Sequence, residues 1–116
     1  MSARRKVITA VFDTTGPKKI EVKVIYSLGG RNWFNGNVEP RGYYLSLGPV
    51  EYDGLSTISM LGTGLRILLA ESKRFSAKGM QNAIKAAADL ETDAVAFVCE
   101  KEGLTLNGSV LRRRIA

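Results

Sequence analysis

Residues 29–49, GGRNWFNGNVEPRGYYLSLGP, concentrate side chains that can bind a nucleotide. The only tryptophan of the chain lies in a run of four candidate ligand-binding residues, Arg31, Asn32, Trp33 and Phe34. Aromatic rings stack on bases, guanidinium groups pair with phosphate, and carboxamide groups can read the edges of bases. The alternative is structural: Trp33 and Phe34 would plug one end of a sheet, with Asn35-Gly36 as a type I′ turn. Both interpretations hold if one ring packs while its neighbour faces a ligand.

The same segment offers further candidates where it leads into a strand. Arg41 could meet a phosphate, and Gly42 beside it would let a ligand approach the backbone closely. The alternative for Arg41 is a solvated side chain at the start of the strand. Of Tyr43 and Tyr44, we expect the ring that faces away from the helices to offer a stacking surface and the other to lie in the core. Tyr43 is included among the candidate ligand-binding residues.

The tripeptide Gly62-Thr63-Gly64 lies where the sequence pattern places the start of a helix. Free N–H groups at a helix N-terminus favour a phosphate, and Arg66 follows closely in the sequence. Thr63 is therefore a candidate ligand-binding residue. The alternative is that this tripeptide is a plain cap and turn.

Two basic clusters complete the candidate site. Lys73 and Arg74 precede Phe75 at the junction of two helical runs, although helix ends commonly carry basic residues that complement the helix dipole. Arg112 and Arg113 belong to a run of three arginines close to the C-terminus. Such runs are usually solvated, but in a symmetric oligomer they can reach into a pocket of a neighbouring subunit. Arg74, Phe75, Arg112 and Arg113 are candidate ligand-binding residues.

The chain lacks the residue types that most enzymes use. It contains no histidine, the commonest general base and metal ligand, and it contains a single cysteine. Cys99 lies in the apolar run AFVC, which is typical of a buried structural thiol. The motifs of nucleophile-elbow hydrolases, P-loop proteins and zinc proteases are missing from the sequence. We therefore predict a binding protein without catalytic residues, metal or cofactor.

The composition predicts a single cytoplasmic domain with an anionic partner. A chain of 116 residues is long enough for one domain, residues 1–116, with one core. Its 17 basic and 11 acidic residues give a net charge of +6, which favours a nucleotide, a nucleic acid or another phosphorylated partner. The alternative is that the charge serves only solubility. Neither a bilayer-spanning apolar run nor a signal peptide is recognisable, and one cysteine is compatible with a reducing cytoplasm.

Strand patterns dominate the first half of the chain. Residues 6–12 are rich in β-branched side chains, and residues 18–28 alternate with a period of two. One face of this second strand carries Ile20, Val22, Val24, Tyr26 and Leu28. Residues 43–47 and 55–61 predict a third and a fourth strand, and Pro49 predicts a bend or an edge position in the third.

Helical spacing begins after residue 64. Apolar residues from Leu65 to Phe75 recur at helical spacing with Thr63 as the N-cap, and the competing prediction is a strand in GLRILLA. A second run begins at Ser76, continues past a cap at Thr92 or Asp93, and ends at Gly103 in a Schellman-type turn. Its apolar stripe comprises Met80, Ala83, Ile84, Ala87 and Leu90, followed by Ala94, Phe97 and Val98.

The last residues of the chain leave two alternatives open. Asn107 caps a short helix that carries the arginines, or Asn107-Gly108 forms a hairpin turn. Strands followed by helices predict an α+β fold, with an N-terminal antiparallel sheet of about four strands and two to three C-terminal helices that cover one face.

The run RNWFNGNVEPRGYYLSLGPV, residues 31–50, resembles a segment of small proteins from phages and mobile elements of Firmicutes. The whole layout, an N-terminal antiparallel sheet followed by helices and terminal arginines, is similar to a phage Thoeris anti-defence family. Members of that family are sponges, which bind cyclic ADP-ribose isomers and in some cases cyclic oligonucleotides without cleaving them. The resemblance implies a homo-oligomer that holds its ligand with aromatic and arginine side chains across subunits.

The resemblance also implies roles for particular residues of this chain. Phe75 would be the adenine-stacking ring, and Arg112 and Arg113 would be phosphate partners. We therefore expect a non-enzymatic, homo-oligomeric binder of a nucleotide-derived second messenger in the cytoplasm of a bacterial host cell. The alternatives are a single-stranded nucleic-acid-binding module and a protein-binding phage inhibitor of a host defence.

Overall fold

The computed structural model describes residues 5–31, 36–53, 56–60 and 64–113, and describes side chains within residues 5–31, 36–51 and 64–108. These residues form eight strands and one helix. The elements are β1 (Lys6–Thr14), β2 (Lys19–Ser27), β3 (Gly30–Arg31), β4 (Val38–Glu39), β5 (Gly42–Asp53), β6 (Ser56–Met60), β7 (Leu65–Glu71), α1 (Ala77–Glu102) and β8 (Leu106–Arg113). Within the described residues the fold is α+β, as predicted, but it has one helix where the sequence predicted two to three.

The main sheet is antiparallel and has the strand order β6-β5-β2-β1-β8. β6 and β7 both pair with β5, β7 along residues 42–47 and β6 along residues 50–53. They therefore act as one interrupted edge strand, and β5 changes partner at Gly48 and Pro49. Proline has no N–H to donate to a neighbouring strand. Strand β5 tolerates Pro49 because neither β6 nor β7 pairs with it there. The predicted edge position at Pro49 holds on the β6 and β7 side only, since Pro49 remains paired with Ile20 of β2.

One face of the sheet packs against α1 and forms the core. The β2 residues that the sequence assigned to one face are buried there as predicted: Ile20, Val22, Val24 and Tyr26. Leu28 was assigned to the same face but is 60% exposed, because β2 ends at Ser27. β5 contributes Tyr43, Leu45 and Leu47. Complete burial of an aliphatic side chain such as Leu45 contributes about 1.5–3 kcal/mol to folding.

The helix begins and ends where the sequence predicted. The Ser76 side chain accepts a hydrogen bond from the Gly79 N–H at 2.9 Å, which satisfies one free donor of the first turn. At the other end Gly103 has φ 68°, and the Leu104 N–H donates to the Cys99 carbonyl at 2.8 Å. This arrangement is a Schellman ending, and glycine suits its left-handed backbone.

The interior of the helix differs from the prediction in two respects. α1 is continuous across Thr92 and Asp93, so neither residue caps a second helix. Leu90 and Phe97 were assigned to the buried stripe but are 39% and 52% exposed. The buried stripe passes through Glu91 instead. Residues three or four positions apart share one face of a helix, and Glu91 lies four residues after Ala87 and three before Ala94.

The predicted helix between Leu65 and Phe75 is wrong, and the competing strand is correct. β7 alternates, with Leu65, Ile67 and Leu69 packed towards the core and the residues between them exposed. It pairs with β5 in antiparallel fashion. A leucine-rich run can form its backbone hydrogen bonds in such a strand as readily as in a helix. The residues before β7 therefore do not precede a helix, which removes the reason for a phosphate site there, and Thr63 lies outside the described residues.

The C-terminal residues form neither of the two predicted structures. β8 pairs with β1 in antiparallel fashion, from Leu106 opposite Thr14 to Val110 opposite Phe12. Between these two pairs β8 has three residues and β1 has one. Gly108, one of the three on β8, has φ 87°. The positive φ of Gly108 belongs to a bulge that keeps β8 on the sheet. With β7 and β8 the main sheet has six strands among the described residues, where about four were predicted.

Substitution of Gly42 should test the close packing of β5 against β7. A Cβ at Gly42 would lie 2.2 Å from the Ala70 carbonyl oxygen, so Gly42→Ala must separate the two strands. We expect Gly42→Ala to lower the free energy of unfolding by about 1–3 kcal/mol, measured by urea denaturation. Gly16→Ala is the control, since nothing lies within 4 Å of a Cβ there. Equal urea midpoints for the two variants would contradict this packing.

Candidate functional site

Three aromatic rings and an arginine meet where the end of β2, the start of β5 and the turn before α1 come together. The ring centroids of Tyr26 and Tyr43 lie 5.0 Å apart, and those of Tyr26 and Phe75 lie 5.5 Å apart. The centroids of Tyr43 and Phe75 are separated by 6.2 Å. Edge-on contacts of this kind stabilise aromatic clusters. We call Arg5, Tyr26, Tyr43 and Phe75 the aromatic corner.

The two tyrosine hydroxyls hold the turn that carries Phe75. The Tyr26 hydroxyl donates to the Ser72 carbonyl at 2.9 Å. The Tyr43 hydroxyl accepts from the Ser76 N–H at 3.0 Å and donates to the Ser76 carbonyl at 3.2 Å. Both ends of the turn are therefore bound to the sheet, and Phe75 is held between them. Buried tyrosine hydroxyls usually form a hydrogen bond, and both of these do.

Arg5 covers the outside of the aromatic corner. Its guanidinium carbon lies 5.2 Å from the centroid of Phe75 and 5.7 Å from that of Tyr26. Its carbonyl accepts from the Tyr26 N–H at 2.8 Å, which fixes the backbone beside the rings. These distances are those of cation–π contacts. Sequence reasoning did not select Arg5, because pairing of β1 with β2, rather than any local pattern, brings it to the rings.

Arg41 connects the loop after β2 to the turn before α1. Its Nε donates to the Leu28 carbonyl at 3.2 Å, and its Nη1 donates to the Lys73 carbonyl at 3.3 Å. The Ser72 N–H donates to the Arg41 carbonyl at 3.0 Å. The sequence proposed Arg41 as a phosphate partner. In the structure two of its five N–H groups donate to carbonyl oxygens and join these segments. Its contact with a phosphate stays a prediction.

Four exposed cations lie on the segments that form the corner: Arg5, Arg41, Lys73 and Arg74. Among described side chains, no ion pair involves any of these four. The acidic residue nearest to the turn in sequence is Glu71, which is exposed at the end of β7. An anionic ligand at the corner would therefore meet positive charge that is not already paired.

The structure brings together only part of the predicted site. Arg74 and Phe75 lie on the corner, with Arg74 exposed and Phe75 partly buried. Tyr43 is only 2% exposed and packs in the core, so its ring is not accessible to a ligand. This position does not support direct contact between Tyr43 and a ligand, which stays a prediction. Arg31 is exposed in β3, where its Nη1 donates to the Gly36 carbonyl at 3.1 Å.

Of the remaining predicted site residues, the structure describes only the backbones of Arg112 and Arg113. Asn32, Trp33 and Phe34 lie outside the described residues. The backbones of Arg112 and Arg113 pair with Val11 and Ala10 on β1. At about 3.3 Å per residue, these positions lie roughly 17–20 Å along the strand from residue 5.

Tyr44 does not offer the open stacking surface that the sequence predicted for the ring facing away from the helix. Tyr44 is 3% exposed, and the guanidinium carbon of Arg66 lies 4.7 Å from its ring centroid. Cys99 is buried in α1, and burial raises the pKa of its thiol. Among the described residues there is no group of three metal-ligating side chains, and no helix is long and apolar enough to cross a membrane.

Comparisons of the chain with protein-family models, with curated proteins and with solved structures find no match. Its own residues and their geometry are therefore the basis for interpreting the corner.

Cys99 should behave as a buried structural thiol. Because burial raises the pKa of this thiol, the reactive thiolate is scarce at neutral pH and increases as the pH rises. We expect the folded protein to react with a disulfide reagent at pH 7.5 far more slowly than the protein unfolded in urea, as followed by absorbance. Faster reaction of the folded protein would indicate an activated nucleophile.

Proposed function

We propose that this protein is a non-enzymatic sponge that binds a nucleotide-derived second messenger, a cyclic ADP-ribose isomer or a cyclic oligonucleotide, at the aromatic corner. One observation carries the proposal. The exposed guanidinium of Arg5 rests against two aromatic rings, and the neighbouring exposed cations have no ion-pair partner among the described side chains. The layout that the sequence predicts is similar to that of the phage anti-defence family, whose members bind the same class of ligand.

The corner combines the two chemistries that a nucleotide requires. A guanidinium has N–H donors in its plane for phosphate oxygens, and its faces can stack on a base. Lys73 and Arg74 add exposed charge on the turn next to Phe75. Because the two tyrosines hold this turn, its charges are positioned before a ligand arrives, which lowers the entropic cost of binding.

The geometry favours a compact ligand over a strand of nucleic acid. A stacking platform requires exposed rings along the strands of a sheet. Among the side chains that the structure describes, Tyr26, Tyr43 and Tyr44 are buried. The exposed Phe97 lies on α1, away from the strands. A ring-and-cation cluster at one end of the sheet is the better match to a small molecule.

Sequestration requires affinity without turnover. The cysteine is buried, and the sequence has no histidine, so the usual activated nucleophile with its base is missing. A ligand that leaves the protein should therefore be chemically intact. The resemblance further leads us to propose that several copies of the chain assemble, and the mass of the protein in solution tests this assembly.

Titration with cyclic ADP-ribose isomers and cyclic di- and trinucleotides tests the proposed function. We expect at least one ligand to raise the melting temperature, since a ligand at 100 times its Kd adds about 2.7 kcal/mol of stability. Arg5→Gln should weaken binding by about 10- to 100-fold in calorimetry, because it removes a charged hydrogen-bond donor. Lys85→Gln is the charge-matched control on the exposed surface of α1.

Three outcomes would contradict the proposal. The first is no binding by any ligand of the panel, and the second is equal affinity of Arg5→Gln and Lys85→Gln. The third is recovery of a hydrolysed ligand after the protein is denatured. Binding of single-stranded oligonucleotides with an affinity that falls steeply as salt is raised would instead support the nucleic-acid alternative.

A further inference from the structure

The small ribbon formed by β3 and β4 is fastened to the main sheet by three side chains. The Nε of Arg66, on β7, lies 3.4 Å from a carboxylate oxygen of Glu39, on β4. The guanidinium carbon of Arg66 lies 4.7 Å from the ring centroid of Tyr44, on β5. The Tyr44 hydroxyl donates to the Pro40 carbonyl at 2.6 Å. We propose that Glu39, Tyr44 and Arg66, the ribbon latch, position the ligand-binding corner from the opposite face of the sheet.

The latch accounts for the burial of Tyr44. The register places Ser46 opposite Arg66, so Arg66 is a diagonal neighbour of Tyr44 and reaches back along β5 to its ring. Tyr44 lies on the face of the sheet that α1 does not cover, yet it is only 3% exposed. Burial and the nearby negative charge of Glu39 raise the pKa of Tyr44. Its hydroxyl therefore stays protonated and continues to donate to Pro40.

The backbone transmits this fixed position to the corner. Glu39 and Pro40 directly precede Arg41, whose side chain donates to the Lys73 carbonyl at 3.3 Å and whose carbonyl accepts from Ser72. The base of the ribbon is tight, because a Cβ at Gly29 would lie 2.8 Å from backbone atoms of Glu39 and of Arg41. Movement of residues 39–41 would therefore move the turn that carries Arg74 and Phe75.

The chemistry of the latch requires arginine at position 66. A planar guanidinium can lie over a tyrosine ring and pair with a carboxylate at the same time, whereas a lysine ammonium lacks this planar fork. The side chains of Arg66 and Glu39 are 35% and 24% exposed, so the latch contributes modestly to global stability. Its expected effect is on the position of the ribbon and of the turn.

Hydrogen exchange of backbone amides tests the latch in Glu39→Gln, Arg66→Gln and the double variant. We expect amide exchange in residues 36–39, 41 and 72–74 to become about fivefold faster in each single variant, with β2 unchanged. The double variant should be no faster than the more affected single variant, because the two residues act as one unit. Lys23→Gln is the control, since it breaks the ion pair with Glu21 on the same face without touching the ribbon.

Several results would overturn the latch. They are unchanged exchange in both segments, equal changes in Lys23→Gln, or additive effects in the double variant. The effect of the latch on ligand affinity rests on the proposed function. Arg66→Gln should weaken ligand binding about fivefold, whereas Lys23→Gln should not. Unchanged affinity in a variant with faster exchange would overturn the positioning role. If the wild type binds no ligand, the proposed function fails, and the exchange result still decides whether the latch exists.

Discussion

The pairing of β2 with β5 is the constraint on which the rest of the structure depends. The two strands pair without a bulge from Lys19 opposite Val50 to Ser27 opposite Gly42. This register makes Tyr26 and Tyr43 direct cross-strand partners on the core face. A slip of one strand by one residue would send its ring to the other face of the sheet and separate the pair. The aromatic corner is therefore a consequence of the register of the central strands.

Core packing and the candidate site share the same side chains. Tyr43 is buried against α1, yet its hydroxyl holds Ser76 at the start of the helix. A Cβ at Gly79 would lie 2.4 Å from that hydroxyl, so the first turn of α1 is in close contact with the ring. The burial that stabilises the fold also keeps the turn before α1 in one position. Exposed positive charge is consequently held by a rigid support.

The sequence could predict those elements for which one local signal decides the structure. The alternation of β2, the cap at Ser76 and the glycine at 103 each have one favoured local interpretation. The run of Leu65 to Leu69 does not, because its apolar residues satisfy both a period of two and helical spacing. Only pairing with β5 resolves that choice in favour of a strand.

The candidate site was less accessible to sequence reasoning than the fold. Phe75 and Arg74 stood out through their neighbours in the sequence, but Arg5 reaches the rings only through long-range strand pairing. Tyr43 was selected for its ring, although its alternation with Leu45 and Leu47 equally indicates the core face that the structure shows. Aromatic residues serve packing as often as recognition, and exposure cannot be read from residue type.

Binding of a nucleotide-derived ligand at the aromatic corner is what we propose for this protein. Mapping of amide chemical shifts by NMR during titration with a cyclic ADP-ribose isomer or a cyclic dinucleotide tests it most directly. If the ligand binds at the corner, the largest shifts should fall on Arg5, Tyr26 and residues 73–76. Shifts confined to β1 and β8, to the outer surface of α1, or to no residue at any ligand concentration would contradict it.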